Sequence, residues 1–231
     1  MKRFYSDVTI VPAETGFAIQ LDGRPVRTPA RALLVLPTPA LAQAVAAEWQ
    51  AQGDMIDPAA MPMTGLANAA IDHVVPNQAG FAADVARYGQ SDLLCYRAHG
   101  PDTLVARQAA AWDALLDWAR ARYDVAFAVT QGIIPVPQPA ETLARLEAAV
   151  AALDPFTLCG LSTVVTLSGS LVCGLALVEG GHDRDRLWQA AEIDEAWQVE
   201  QWGEDAEAAA RAARRAADFA TAATFCALSR S

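Results

Sequence analysis

An uncharged stretch of twenty-four residues, Pro155–Val178, constrains the fold of this chain more than any other feature of its sequence. A run of that length is long enough to cross a bilayer as a helix. Six hydroxyl side chains and three glycines lower its hydropathy, however, and it is flanked by Asp154 and Glu179 rather than by the basic and aromatic anchors of a membrane helix. We therefore expect a buried central helix of a bundle, with a membrane span as the alternative.

The composition favours a mainly helical protein with a sizeable core. The chain has 231 residues, of which 53% are hydrophobic and 19% charged, and this balance excludes charge-rich disorder. Alanine-rich tracts that also contain Leu, Arg, Glu and Gln favour helix. The spacing of the apolar residues predicts helices over Asp102–Arg122, Pro139–Leu153, Phe156–Glu179, Asp183–Trp202 and Glu204–Leu228.

The first third of the chain has a mixed pattern. Short β-rich runs occur at Val8–Val11 and Phe17–Leu21, and Asp22-Gly23 directly after them is the signal of a two-residue type I′ hairpin. Thr38-Pro39 is typical of the cap and first residue of a helix. The sequence thus predicts an α+β protein. Residues 1–75 form a small β-rich N-terminal domain with one or two helices, and residues 76–231 form a larger α-helical bundle domain.

Charge and motifs exclude several classes of function. The formal net charge is −10, with sixteen arginines and a single lysine, Lys2. The chain therefore has few basic residues from which to form a nucleic-acid-binding face, and such a function is not expected. Lys2 lies in no context suited to a phosphate loop or a pyridoxal Schiff base. The three histidines and four cysteines show no metal-ligand spacing, and the cysteines are expected to be free and buried. No catalytic residue, cofactor or metal is therefore predicted.

The densest group of aromatic and polar residues lies in the helix predicted over Asp183–Trp202. On a continuous helix, Trp188, Glu195, Gln198 and Trp202 share one face, and Asp194 lies on the adjacent face. Tryptophans at this density either pack in the core of a bundle or form an interaction surface. The sequence is compatible with core packing and with an interaction surface.

Two neighbouring acidic residues in this segment, Asp194 and Glu195, have three possible roles. They can pair with an arginine such as Arg97 or Arg24, face a binding partner, or serve a small hydrolase. Side chains of adjacent helical residues point about 100° apart, so the two carboxylates cannot converge on one bond. A hydrolase would have to use one of them alone, in a concave pocket that raises its pKa.

A series of short motifs runs through nearly the whole chain. They are Arg3-Phe4-Tyr5, Leu21–Pro29, Glu48-Trp49, Met61–Thr64, Ala70-Ile71-Asp72, Asp92–Arg97, Gln108, Trp112-Asp113, Ser168–Leu171, Leu187-Trp188, Asp194–Gln198 and Trp202-Gly203. Because of the order and spacing of these motifs, the chain resembles a family of assembly chaperones for the catalytic head of F-type ATP synthase. The members of this family act on the alpha subunit. That family often has a proline after the Trp-Asp pair, where this chain has Ala114.

The resemblance implies a chaperone that is not an enzyme. Such a protein binds the unassembled alpha subunit and prevents its aggregation until it joins the beta subunit, and we expect it to act without ATP. The predicted partner-binding residues are Asp194, Glu195, Trp188, Gln198 and Trp202, and an acidic residue of the Asp194–Glu195 pair is the position that the resemblance carries over. We further expect a cytoplasmic bacterial protein that is monomeric when free. A membrane-associated assembly factor built on Pro155–Val178 remains an alternative.

Overall fold

A computed structural model of the chain describes residues 1–132, 134–203 and 205–231. Its strands are β1 (Val8–Ala13), β2 (Gly16–Leu21), β3 (Arg24–Pro25), β4 (Val35–Leu36), β5 (Tyr96–Arg97) and β6 (Thr130–Gln131). Its helices are α1 (Pro39–Gln50), α2 (Pro62–Ala69), α3 (Gln78–Ala86), α4 (Asp102–Tyr123), α5 (Ala140–Ala151), α6 (Pro155–Ser168), α7 (Leu171–Glu179), α8 (Arg184–Ala191), α9 (Ile193–Trp202) and α10 (Ala206–Leu228).

These elements form two compact units. The first consists of Met1–Gln78, Asp154–Gly160 and Thr221–Ser231, and the second of Ala79–Leu153 and Leu161–Ala220. The small sheet β1–β4 belongs to the first unit, and most of the helices belong to the second. The α+β class predicted from the sequence is therefore confirmed. The division into a domain of residues 1–75 and a domain of residues 76–231 stays a prediction.

The sheet of the first unit is organised around β2. On one edge β2 pairs with β1 in antiparallel register, from Val8↔Leu21 to Ala13↔Gly16, and on the other edge it pairs with β3 and β4. Asp22 and Gly23 connect β2 to β3 with φ angles of 47° and 75°, so the predicted hairpin turn is confirmed. The Asp22 carboxylate also accepts hydrogen bonds from the backbone N–H groups of Ser6 and Asp7, and these bonds lower its pKa.

The first helix begins where the sequence predicts it. Thr38 Oγ1 accepts a hydrogen bond of 3.1 Å from Leu41 N, and Pro39 occupies the first helical position, where its missing N–H has no cost. The buried face of α1 packs on the sheet. The core of this unit is formed by Tyr5, Ile19, Leu21, Val26, Leu34, Leu36, Leu41, Ala42, Val45, Ile56, Met61, Ala67 and Phe225.

In the second unit, α4 and α7 supply much of the buried surface. The predicted helix over Asp102–Arg122 is confirmed as α4, and it buries the face that contains Leu104, Gln108 and Trp112. Within α7, the residues from Leu171 to Ala176 are all buried. The expectation of a central buried helix is therefore correct for α7, where no charge occurs before Glu179.

The single helix predicted over Phe156–Glu179 is wrong, because the chain breaks between α6 and α7. Gly169 adopts a positive φ of 68°, and Ser170 begins the next helix by accepting a hydrogen bond of 3.0 Å from Cys173 N. A distant residue stabilises the break, since Asp92 accepts hydrogen bonds from Ser170 Oγ and Val172 N. Within residues 1–132, 134–203 and 205–231, no helix combines the length and hydropathy required to cross a bilayer.

The single helix predicted over Asp183–Trp202 is also wrong. It is divided at Glu192, whose φ and ψ of −103° and 15° lie outside the helical region. The indole N–H of Trp112 donates a hydrogen bond of 2.7 Å to Ala190 O, the carbonyl that would accept from Asp194 N in a continuous helix. The break therefore lies where a tertiary contact occupies this carbonyl, and it separates Trp188 on α8 from the other predicted site residues on α9.

The last predicted helix, Glu204–Leu228, corresponds to α10. The structure gives its bounds as Ala206–Leu228, and Glu204 lies outside the described residues. Asp205 precedes the helix, and its Oδ2 accepts a hydrogen bond of 2.8 Å from Ala208 N. An acidic cap of this kind satisfies a free backbone donor and favours the positive end of the helix dipole.

Candidate functional site

A groove between α9 and α10 is the feature of the second unit that brings predicted site residues together. Its volume is about 430 Å³. We call it the α9–α10 groove, and it is lined by Glu192, Glu195, Gln198, Val199, Trp202, Gly203, Asp205, Ala208, Ala209, Arg211, Ala212 and Arg215. Three of the five predicted partner-binding residues, Glu195, Gln198 and Trp202, are among them.

The wall formed by α9 carries exposed apolar surface. Trp202 is 78% exposed and Val199 is 45% exposed. Single exposed apolar side chains are common on protein surfaces, but two that lie about one helical turn apart beside a groove make a candidate interaction site. Trp202 therefore does not pack in the core, and the alternative of an interaction surface is favoured for this tryptophan.

The opposite wall is smooth because α10 presents alanines. Ala208, Ala209 and Ala212 line the groove at helical spacing, so these positions of α10 contribute no large side chain. The α10 residues that line the groove also include two arginines. Arg211 forms an ion pair of 2.6 Å with Glu207, one turn earlier on the same helix. The shape of the groove thus depends on the small residues of α10 as much as on the large residues of α9.

Arg215 forms the inner end of the groove and anchors α10. Its guanidinium lies 2.9 Å from a carboxylate oxygen of Glu192, donates a hydrogen bond to Leu167 O, and stacks over the ring of Trp188 at 5.5 Å. Burial raises the pKa of Glu192 and the nearby charge of Glu195 adds to the rise, whereas Arg215 opposes it. Glu192 and Arg215 therefore form a partly buried ion pair.

Trp188 takes a structural position rather than a place in the groove lining. Its ring lies 4.9 Å from the ring of Phe219 on α10, and it is partly buried. Together with Arg215, this aromatic pair packs α8 against α10. The core interpretation therefore fits Trp188, whereas the surface interpretation fits Trp202.

Asp194 points away from the groove lining and toward α4. Its Oδ1 accepts a hydrogen bond of 2.7 Å from the Nε2 of Gln108, a side chain only 1% exposed. The Oε1 of Gln108 in turn accepts from Ala98 N at 2.8 Å. The amide of Gln108 thus connects the loop after β5 to α9. The expected pairing of Asp194 with Arg97 is not found, because Arg97 forms its ion pair with Asp113 at 2.8 Å.

A second contact holds α9 against α4 near the groove. Arg107 lies 4.9 Å above the ring of Trp197 and forms an ion pair of 2.7 Å with Glu200. The hydrogen bond to Arg107 lowers the pKa of Glu200. Asp194, Trp197 and Glu200 therefore attach α9 to the second unit, and they leave the side of α9 that carries Glu195 and Trp202 open.

Several motifs that the sequence singled out form a buried framework instead of a site. Asp92 is fully buried, and its carboxylate accepts hydrogen bonds from Leu94 N, Ser170 Oγ and Val172 N at 3.1, 2.8 and 2.9 Å. Burial raises the pKa of Asp92 to about 6, although these hydrogen bonds oppose the rise. These hydrogen bonds connect the Asp92–Arg97 motif to the Ser168–Leu171 motif and to the start of α7.

Sequence reasoning missed Val199, Arg215 and the alanine wall of α10. The charges of α10 suit its helix dipole, and an alanine-rich helix has no feature that distinguishes a groove wall from solvent-facing surface. As for metals, the described part of the chain contains no cluster of three or more His, Cys, Asp or Glu side chains that could hold an ion. The groove can therefore offer a partner apolar contacts and charged side chains.

Comparison with known proteins extends over the whole chain. Residues 2–120 match the family model described as ATP12 chaperone protein. Over 99% of its length, the chain is similar to the crystal structure of Atp12 from Paracoccus denitrificans, with 47% identity, a TM-score of 0.94 and 98% of that chain covered. A point mutant of the P. denitrificans protein gives 46% identity, a TM-score of 0.95, and coverage of 99% and 97%.

A third solved structure is that of a protein from Agrobacterium tumefaciens. It shares 41% identity with this chain, with a TM-score of 0.93 and coverage of 98% of this chain and 85% of that one. The family model ends before α5, so the α9–α10 groove lies in the part of the chain that the structural relatives cover and the family model does not.

Proposed function

Since this chain belongs to the ATP12 chaperone protein family, we propose that it binds the unassembled alpha subunit of F-type ATP synthase and prevents its aggregation until the beta subunit joins it. The observation that carries this proposal is the similarity to the solved Atp12 structures over 99% of the chain at 46–47% identity. The α9–α10 groove is the surface that we assign to the partner.

The geometry of the groove supports a binding role. A chaperone for an unassembled subunit must cover apolar surface that the finished complex would bury, and Trp202 and Val199 offer exposed apolar surface of their own. An exposed tryptophan is the kind of side chain that carries a large share of interface energy. An interface of standard size would bury roughly 1,600 Å² in total, so the groove would form its centre and not its whole extent.

We propose that the protein acts without catalysis and without ATP. The two neighbouring carboxylates face different surroundings, since Asp194 binds Gln108 while Glu195 lines the groove. They therefore cannot act as a catalytic pair on one substrate. No observation favours the small hydrolase over the chaperone. The membrane-associated alternative rested on one continuous apolar helix, which the structure divides into α6 and α7.

Capture of the isolated alpha subunit of the same organism tests the proposal. The full chain is compared with Glu195→Lys, which reverses a charge in the groove, and with Glu147→Lys, which reverses an exposed charge on α5 in the same unit. We expect capture by the wild type and by Glu147→Lys, and loss of capture by Glu195→Lys. The thermal midpoint of all three should agree, because both carboxylates are exposed.

Failure of the wild type to capture the alpha subunit would refute the proposed partner. Equal loss of capture in both variants would show a general effect of charge and would remove Glu195 from the binding surface. A lowered thermal midpoint confined to Glu195→Lys would make Glu195 a structural residue. We also propose that the protein is monomeric when free and works in the bacterial cytoplasm, and the elution volume of the purified protein tests the first of these points.

A further inference from the structure

The apolar and acidic surfaces of the α9–α10 groove are arranged side by side. Val199 and Trp202 form an exposed apolar strip along α9. Glu195 lies one turn before Val199, and Asp205 lies at the end of the groove where α9 and α10 are joined. A partner that covers the apolar strip must therefore pass close to both carboxylates.

The charges of the groove are not balanced. Its two arginines already have partners, because Arg215 pairs with Glu192 at 2.9 Å and Arg211 pairs with Glu207 at 2.6 Å. Over the residues that the structure describes, no ion pair involves Glu195 or Asp205. A neutral apolar partner would desolvate Glu195 without compensation and would leave Asp205 only its capping hydrogen bond from Ala208 N, which is unfavourable. A partner with Lys or Arg at matching positions would compensate both.

Both walls of the groove are helices, and this favours a helical partner segment over one that pairs as a strand. The backbone groups of α9 and α10 are used within the helices, so the walls offer no strand edge to an extended chain. A helical segment satisfies its own backbone and presents side chains at i, i+3 and i+4. With a rise of 1.5 Å per residue, α9 is roughly 15 Å long, and a partner helix of about three turns would match it.

We propose that the α9–α10 groove binds a short amphipathic helix of the partner protein, with aliphatic side chains on Val199 and Trp202 and with Lys or Arg beside Glu195 and Asp205. This inference rests on the chaperone function proposed above and adds the chemistry of the bound segment. It also gives the groove a means of discrimination, because an acidic amphipathic helix of the same shape would place like charges against the two carboxylates.

Two synthetic helical peptides of fourteen residues test the inference on the full chain. They share the same leucine positions, and one carries lysine where the other carries glutamate. The binding constants are measured by isothermal titration for the wild type, for Glu195→Gln combined with Asp205→Asn, and for the control Glu147→Gln. Asparagine at residue 205 can still cap α10, so the double variant should remain folded.

We expect the lysine peptide to bind the wild type at least tenfold more tightly than the glutamate peptide. The double variant should lose about fivefold to tenfold of that affinity, which corresponds to about 1–1.4 kcal/mol for the two exposed charge pairs together. Raised salt should weaken the wild type and leave the double variant nearly unchanged. Glu147→Gln should match the wild type. Equal affinity for the two peptides, or an unaffected double variant, would overturn the inference.

The alpha subunit separates this inference from the function on which it rests. If the wild type captures the alpha subunit equally well at low and high salt, and the double variant captures it too, the basic helix is wrong while the chaperone function stands. If the wild type binds the lysine peptide selectively and never captures the alpha subunit, the proposed partner is wrong and the specificity of the groove stands.

Discussion

The fully buried carboxyl group of Asp92 should make the free energy of unfolding depend on pH. Burial raises its pKa from 3.8 to about 6, although hydrogen bonds from Val172 N, Ser170 Oγ and Leu94 N stabilise the charged form. The native pKa therefore lies above that of the unfolded chain. Between about pH 4 and pH 6, the folded protein holds a proton that the unfolded chain has released, so the contribution of Asp92 to the free energy of unfolding decreases as the pH rises.

Replacement by asparagine isolates this contribution. A pKa raised by about two units adds about 3 kcal/mol to the free energy of unfolding at pH values well below 4. About 2 kcal/mol of this contribution is lost between pH 4.5 and pH 7. Asp92→Asn also turns an NH₂ group toward Leu94 N or Val172 N, and the lost hydrogen bond costs about 1–3 kcal/mol at every pH. The wild type should therefore exceed the variant in stability by about 2 kcal/mol more at pH 4.5 than at pH 7.

Urea unfolding of both proteins at pH 4.5, 5.5 and 7, followed by tryptophan fluorescence, measures this difference. The chemical shift of the Asp92 carboxyl carbon gives a direct control, with an expected titration midpoint near pH 6. A stability difference that is constant with pH would refute a raised pKa. A difference that becomes smaller at low pH would mean that the hydrogen bonds outweigh burial and that the pKa is lowered instead.

Three further substitutions test the division between binding surface and framework. Trp202→Ala removes a side chain that is 78% exposed, so the thermal midpoint should stay within about a degree while capture of the alpha subunit weakens at least fivefold. Gln108→Met leaves Ala98 N without its acceptor and Asp194 without its donor, and it should lower the free energy of unfolding by about 1–3 kcal/mol in urea titration. Gly174→Ala would place a Cβ atom 2.6 Å from two buried side chains of α6, and calorimetry should show a loss of about 1–3 kcal/mol; an unchanged midpoint would mean that α6 can move.

The elements that the sequence predicted correctly depend on neighbouring residues. The turn at Asp22-Gly23 requires positive φ at both positions, which an aspartate and a glycine supply without help from the rest of the chain. The start of α1 requires only a hydroxyl at Thr38 and a proline after it. The buried face of α4 follows from the spacing of its apolar residues. In each case the decisive atoms lie within one or two turns of one another.

The candidate site was only partly predictable for the same reason. Glu195, Gln198 and Trp202 lie within three turns of one helix, so their shared face follows from helical spacing. Trp188 was assigned to that face because the helix was expected to continue through Glu192. The far wall of the groove belongs to α10, and no local pattern in an alanine-rich helix indicates which face another helix will meet.

Local sequence patterns were sufficient to predict the α+β class, the burial of the segment before Glu179, and a helical face that carries Glu195, Gln198 and Trp202. Where the helices break, and which side chains remain exposed, depends on contacts between residues that are far apart in the chain. Trp112 donates a hydrogen bond to Ala190 O at the end of α8, from 78 residues away, and Asp92 stabilises the start of α7 through Val172 N, from 80 residues away. Helical propensity acts over a few residues, whereas a buried hydrogen bond can replace it from any distance along the chain.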